Sequence, residues 1–195
     1  MKLLTLFLKE YTAYTGHELR PHWIAEKTGK FTSALLAFRG GCSVASSELV
    51  DVEDAQAGAQ IQAKEMLHFL GEFFDENLLL TIAKQRLFIA LFLEELRKVL
   101  SPDIAQCFFR QGNDLFYRDP ANKALRKLSV SIVTASPVST LLHFGVNIDS
   151  SGAPVAAIGL KDFAVDSETL AKNVLKAWEE EMESINKARC KVSPR

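Results

Sequence analysis

Two rows of polar residues interrupt otherwise greasy stretches in residues 126–149, RKLSVSIVTASPVSTLLHFGVNID. Lys127, Ser129 and Ser131 recur at every second position, and after a Ser-Pro turn so do His143, Gly145 and Asn147. Side chains two apart on a strand share a face, so each triplet forms one polar row. A lysine beside a low-dielectric pocket can stabilise charge developing on a phosphate or a carbonyl oxygen. A glycine between His143 and Asn147 lets a ligand lie against the backbone. Plainer explanations compete. Lys127 can guard a sheet edge against aggregation, with the serines beside it on a solvated face, and His143 can be a core histidine satisfied by a neighbour.

Two further groups carry candidate chemistry. Arg39-Gly40-Gly41 follows a short apolar run. Successive backbone N–H groups in a glycine turn form an anion nest, and an arginine adds a bidentate fork, although a plain turn reads the same way. Asn113-Asp114 follows Gly112. One carboxylate plus a substrate phosphate suffices for magnesium, while Gly-Asn is also ordinary hairpin chemistry. Metal chemistry of other kinds finds little support: His68 with Glu72, or His17 with His22, matches no ligand spacing of a zinc site, so no metal ligands are assigned. There is no G-x-S-x-G nucleophile elbow. Cys42, beside the glycines, reads as a small apolar filler.

The elements that must position these residues can be read from periodicity and punctuation. Strands are expected near 3–9, 34–38, 66–73, 106–111, 114–118, 127–134 and 140–148, forming one sheet. As a strand, 66–73 places Leu67, Phe69, Gly71 and Phe73 on one face and Met66, His68, Leu70 and Glu72 on the other. Helices are expected near 76–100, capped by Asp75 and buried nearly all round, and near 166–188, capped by Asp166 or Ser167, with Leu170, Val174, Trp178, Met182 and Ile185 on one stripe. Strands outnumber helices and the two do not alternate regularly. The expected class is therefore α+β, with a central mixed, mostly antiparallel sheet flanked by helices.

Composition bounds the rest. A length of 195 residues and the absence of low-complexity runs favour a single domain over 1–195. A net charge of −1 supplies no global field to attract DNA or an anionic membrane. The N-terminal MKLLTLFLKE has six residues between its lysines, too few for a signal peptide's apolar region. Three scattered cysteines with no C-x-x-C argue against a disulfide framework and for a reducing compartment. The expected location is the cytoplasm.

Taken in chain order, AFRGG, GNDLFY, KLSVSI and LLHFGVNID resemble the catalytic domain of biotin and lipoate protein ligases and octanoyl transferases, which share their fold with class II aminoacyl-tRNA synthetase cores. The likeness runs from about residue 35 to residue 160, and the whole chain also resembles an uncharacterised, mostly microbial family placed in that superfamily. The resemblance implies that Arg39, Gly40 and Gly41 form a loop over an acyl-adenylate, and that Asn113 and Asp114 match an Asn-Asp pair. It makes Lys127 the catalytic lysine, with Ser129 and Ser131 beside it, and puts catalytic His143 together with Gly145 and Asn147 on the last element. Leu128, Val130 and Leu142 would wall the pocket. The implied reaction is adenylate-forming acyl ligation or acyl transfer on a small carboxylic acid, with ATP and magnesium as cofactors. A non-catalytic binder of a small molecule or nucleotide, and a homodimeric scaffold, are the other readings. Two features depart from the pattern: Ile158 stands where the transferases place their cysteine, and the G-R-G-x-G-R-x-W run of biotin ligases is absent.

Overall fold

The computed structural model describes residues 3–74 and 76–193. The chain runs β1 (Leu4–Phe7), α1 (Trp23–Thr28), β2 (Ala34–Val44), α2 (Val52–Gln56), β3 (Ile61–Phe73), α3 (Leu78–Lys98), α4 (Pro102–Ala105), β4 (Phe108–Gln111), β5 (Asp114–Arg118), β6 (Leu125–Lys127), β7 (Ser129–Ala135), β8 (Thr140–Asp149) and α5 (Ser167–Cys190). A five-stranded sheet has the order β1-β2-β3-β8-β7, and a three-stranded sheet has the order β4-β5-β6. Among these strands every pairing is antiparallel except β1 with β2; isolated bridges of Tyr14 with Cys42 and Lys127 with Ala157 are also parallel. The class is the expected α+β with a mixed, mostly antiparallel central sheet.

The expectation of one sheet fails at Leu128. The run 127–134 is divided there: Lys127 closes β6 against β5, and Ser129 opens β7 against β8. Leu128, fully buried, is the pivot between the sheets, with its N–H bonded to Leu115 O and its carbonyl accepting from Asn147 N.

Strand alternation sorts the side chains into two cores. Leu35, Ala37, Leu67, Phe69, Leu142, Phe144 and Val146 face α3 and α5, where they meet Phe88, Phe92 and Trp178. Phe69 and Phe144 take the edges of Phe88 and Phe92 at ring separations of 5.1–5.8 Å in four contacts and stack on each other at 6.1 Å, the edge-on and offset geometries aromatic quadrupoles prefer. On the opposite face Leu36, Phe38, Met66 and Leu70 pack with Trp23 and Ile24 of α1.

Helix α3 buries one face only: Thr81, Gln85, Phe88, Ile89, Phe92, Leu93 and Leu96. Leu78, Leu79 and Leu80 are exposed, so the expected all-round burial is corrected. Its cap is Asn77, whose side chain accepts from Leu80 N at 2.8 Å; Asp75 lies outside the described residues. Helix α5 is capped by Asp166, and its stripe Leu170, Val174, Trp178 and Met182 is buried, while Ile185 falls outside it. Among the described residues no helix is long and apolar enough to cross a membrane. The short helices α1, α2 and α4 carry too few turns to show a period.

Candidate functional site

A cavity of about 350 Å³ opens on the sheet face away from α3 and α5. Its floor includes Met66 of β3, Val130 and Ile132 of β7, and His143 and Asn147 of β8. Asn113, Asp114 and Lys127 form one side. The other side comes from the β2–β3 connection, residues 45–60, with Glu48, Leu49, Val50, Asp51 and Asp54. The interior thus mixes apolar and polar side chains, and the rim is acidic.

The register of the small sheet sets the charged pair. Phe116 pairs directly with Lys127, which makes Asp114, two residues earlier on β5, a diagonal neighbour on the same face. Lys127 Nζ lies 2.7 Å from Asp114 Oδ2. The Lys127 backbone is tied as well: its N–H donates to Ala156 O, and its carbonyl accepts from Ile158 N and Asn147 Nδ2. Burial raises the Asp114 carboxyl above its usual range, outweighing the opposing pull of Lys127. Asp114 Oδ1 is buried and has no partner among the described residues.

At the other end of the floor two histidines meet. Gly145 pairs with His68 across β8 and β3, so His143 is diagonal to His68. His68 Nδ1 lies 3.0 Å from His143 Nε2, and His68 Nε2 lies 3.3 Å from Gly40 O. The missing side chain of Gly145 makes room: a Cβ there would sit 3.1 Å from His143 Cε1 and 2.9 Å from Met66 Cε. Tyr14 stacks on the His143 ring at 3.8 Å with an 8° tilt. Burial pushes His68 down to about 3, against the weaker pull of its Gly40 contact. Burial, and secondarily His68, holds His143 well below its usual value. Both rings are therefore neutral at pH 7. The Gly40 carbonyl can only accept, which places a proton on His68 Nε2 and leaves His68 Nδ1 to accept from His143 Nε2–H.

The structure brings Asn113, Asp114, Lys127, Ser129, Ser131, His143 and Asn147 to this one cavity. Several do not hold the roles expected of them. The hydroxyls beside Lys127 are committed to the scaffold: Ser129 Oγ accepts from Leu115 N at 2.8 Å, and Ser131 Oγ donates to His143 O while accepting from Gln85 Nε2. Asn113 Nδ2 donates to Ser131 O and Asn147 Nδ2 to Lys127 O and Ile158 O, so both amides brace strands. Leu128 and Leu142 belong to the helix-side core, leaving Val130 as the wall.

The glycine loop is the larger correction. Strand β2 runs through Gly40 and Gly41 to Val44, with a register shift between Gly40 and Cys42. The glycines are there because residues 12–14 pair alongside. Tyr14 N donates to Gly41 O, and a Cβ on Gly40 would lie 1.7 Å from Thr12 O. Arg39, Gly40 and Gly41 do not line the cavity. Arg39 shares the helix-side face with Leu35 and Ala37, and its charge acts on Asp166 and Glu168 at the start of α5. Gly41 borders a separate shallow groove with Ala13, Lys64 and Ser151. Among the described residues no cluster of three His, Cys, Asp or Glu is arranged to hold a metal.

Sequence reasoning missed Tyr14 and the 45–60 connection. Tyr14 sits in irregular chain with no periodicity, and its partner lies 129 positions away. His68 was on the correct strand face, but its partner could be found only from the β3–β8 register.

Solved structures with this architecture define its class. Biotin protein ligase from Aquifex aeolicus, in complex with biotin and ATP, superimposes with a TM-score of 0.55 at 17% identity, over 92% of this chain and 70% of that one. A bi-partite lipoate protein ligase from Thermoplasma acidophilum superimposes with a TM-score of 0.54 at 14% identity, over 93% and 83%. The fold is that of biotin and lipoate protein ligases. A protein of unknown function from Pyrococcus horikoshi is far nearer, with a TM-score of 0.87 and 34% identity over 99% of both chains. Residues 3–193 match the domain of unknown function DUF366, and the chain belongs to that family.

Proposed function

We propose that the chain is a small-molecule-binding domain that keeps the ligase pocket and lacks the apparatus for a nucleoside triphosphate. The carrying observation is the cavity of about 350 Å³, in which apolar side chains such as Met66, Val130 and Ile132 alternate with polar ones, with Lys127 paired to Asp114 on one side and neutral His143 on its floor. Pockets that combine apolar surface with a few convergent polar groups hold small ligands. The fold supports the reading, since a solved neighbour holds biotin and ATP.

ATP with magnesium does not fit the residues present. Arg39 is turned to the α5 face, Gly40 is closed off by Thr12, and the rim carries Glu48, Asp51 and Asp54. Like charges around a polyphosphate repel it.

One observation favours a second reading, an acyl ligase or acyl transferase acting on a small carboxylic acid. Lys127 borders the cavity at the pivot between the two sheets, where a fixed cation would meet an incoming carboxylate. Calorimetric titration with lipoate, biotin and octanoate, with and without ATP and magnesium, separates the readings when combined with exchange of labelled pyrophosphate. Binding of an organic ligand with no exchange supports the binding domain. Exchange supports the ligase. No uptake of any of them, together with no ligand released from the purified protein on denaturation, counts against both.

A further inference from the structure

The Gly40–His68–His143 chain fixes what the floor of the cavity displays. Gly40 O accepts from His68 Nε2–H, and His68 Nδ1 accepts from His143 Nε2–H. A neutral His143 so arranged keeps its proton on Nε2, and Nδ1 carries a lone pair. His143 is only 3% exposed and lines the cavity, and its Nδ1 has no hydrogen-bond partner among the described residues. Tyr14 stacked at 3.8 Å fixes the plane of the ring, and the bond to His68 fixes which nitrogen faces away from it. That lone pair is open to the cavity, where a ligand's donor can replace water on it.

We propose that the cavity selects a molecule with an apolar body that presents a hydroxyl or N–H donor to His143 Nδ1. The proposal rests on the pocket being a small-molecule site. The acidic rim of Glu48, Asp51 and Asp54 reinforces the choice, since it admits neutral or cationic molecules more readily than anions. The same lone pair could take a proton from that donor, but recognition requires only the hydrogen bond.

Indole and benzothiophene are near-isosteric apolar probes, of which only indole carries an N–H. Long-range proton–nitrogen NMR spectra of the full chain read the histidine tautomers directly. Methyl spectra of Val130 and Ile132 report entry into the cavity. The expected result is a proton on Nε2 of both buried histidines, indole affinity about tenfold that of benzothiophene, and a shift of His143 Nδ1 with indole alone. A proton on His143 Nδ1 would overturn the proposal, as would equal affinity and equal His143 response with both probes filling the cavity. If neither probe moves the Val130 and Ile132 methyls, the small-molecule reading falls and the proposal falls with it.

Discussion

Lys127 Nζ lies 2.7 Å from Asp114 Oδ2, joined across the diagonal of a three-stranded sheet whose third strand ends at Lys127 itself. The pair stands at the cavity wall, yet its two charges are not equally comfortable. Burial lifts the Asp114 carboxyl even with the lysine beside it. Between its unfolded value and its raised folded value, Asp114 binds more protons folded than unfolded, so its ionisation weakens the fold as pH rises. Lys127→Met should lift the carboxyl further. The variant is expected to lose about 1–3 kcal/mol at pH 7 and less near pH 4. Urea denaturation of both proteins at the two pH values, with carbon NMR of the Asp114 carboxyl, measures it. An equal loss at both pH values would show that the lysine acts through packing of its stem.

The buried histidines act in the opposite direction. His68 stays neutral down to about 3, whereas the unfolded chain takes up that proton near 6.5. Stability is therefore full above pH 6.5 and falls as pH drops through the window from 6.5 to 3, by about 1.4 kcal/mol per unit for His68. His143, also held low by burial, adds to the slope. Denaturation midpoints across pH 4–8 should rise with pH, and His68→Phe should flatten the curve even if it lowers the plateau.

Gly40→Ala should be among the most damaging single-methyl changes. The new Cβ would meet Thr12 O at 1.7 Å, which is backbone and cannot step aside cheaply. Separation of residues 12–14 from β2 would pull Tyr14 off His143. A loss of about 1–3 kcal/mol is expected from the overpacking, with faster hydrogen exchange at the Tyr14 amide. Gly145→Ala meets the flexible end of Met66 and should be milder.

Glu72 is buried and carries three hydrogen bonds, two carboxylate contacts with His22 N at 3.0 and 3.1 Å and one from Ser139 Oγ at 2.8 Å. It thereby holds His22 in the left-handed conformation that starts α1, and it anchors the turn between β7 and β8. Glu72→Ala strands a backbone N–H and a hydroxyl, at a cost of about 1–3 kcal/mol. Thermal unfolding checks the size, and amide shifts confined to residues near 22 and 139 check the place.

Cys42 is expected to be chemically quiet. Burial, with a smaller effect of Glu18, pushes its thiol up to about 12, so little thiolate exists at pH 8. Iodoacetamide should modify exposed Cys190 well before Cys42, and Cys42→Ala should leave ligand binding unchanged.

Much of the frame could be read from residues alone because burial imposes a period. The alternation in 66–73 put His68 and Glu72 on the correct face, and the apolar stripe of α5 was visible in Leu170, Val174, Trp178 and Met182. What escaped was set by pairing partners, which no local pattern encodes. Arg39-Gly40-Gly41 has the composition of a loop, but its glycines answer to Thr12, brought alongside by the parallel pairing of β1 and β2. Ser129 and Ser131 have the spacing of a ligand row, but the chain changes sheets at Leu128 and their hydroxyls bond to the scaffold. Lys127, Asp114 and His143, which share the cavity, stood out in the sequence because their types carry charge or lone pairs; Tyr14 did not, since a buried tyrosine looks the same in any core.

The acidic rim is contributed by one excursion of the chain, residues 45–60 between β2 and β3, while the floor belongs to strands locked in register. Surface connections tolerate changes of length and sequence that paired strands do not. The charge of the cavity rim is therefore separable from foldability in this architecture. Replacing sixteen consecutive residues would exchange one rim for another and leave His143, Asp114 and Lys127 where they are, so the rim of the proposed binding site can change its charge without disturbing the floor.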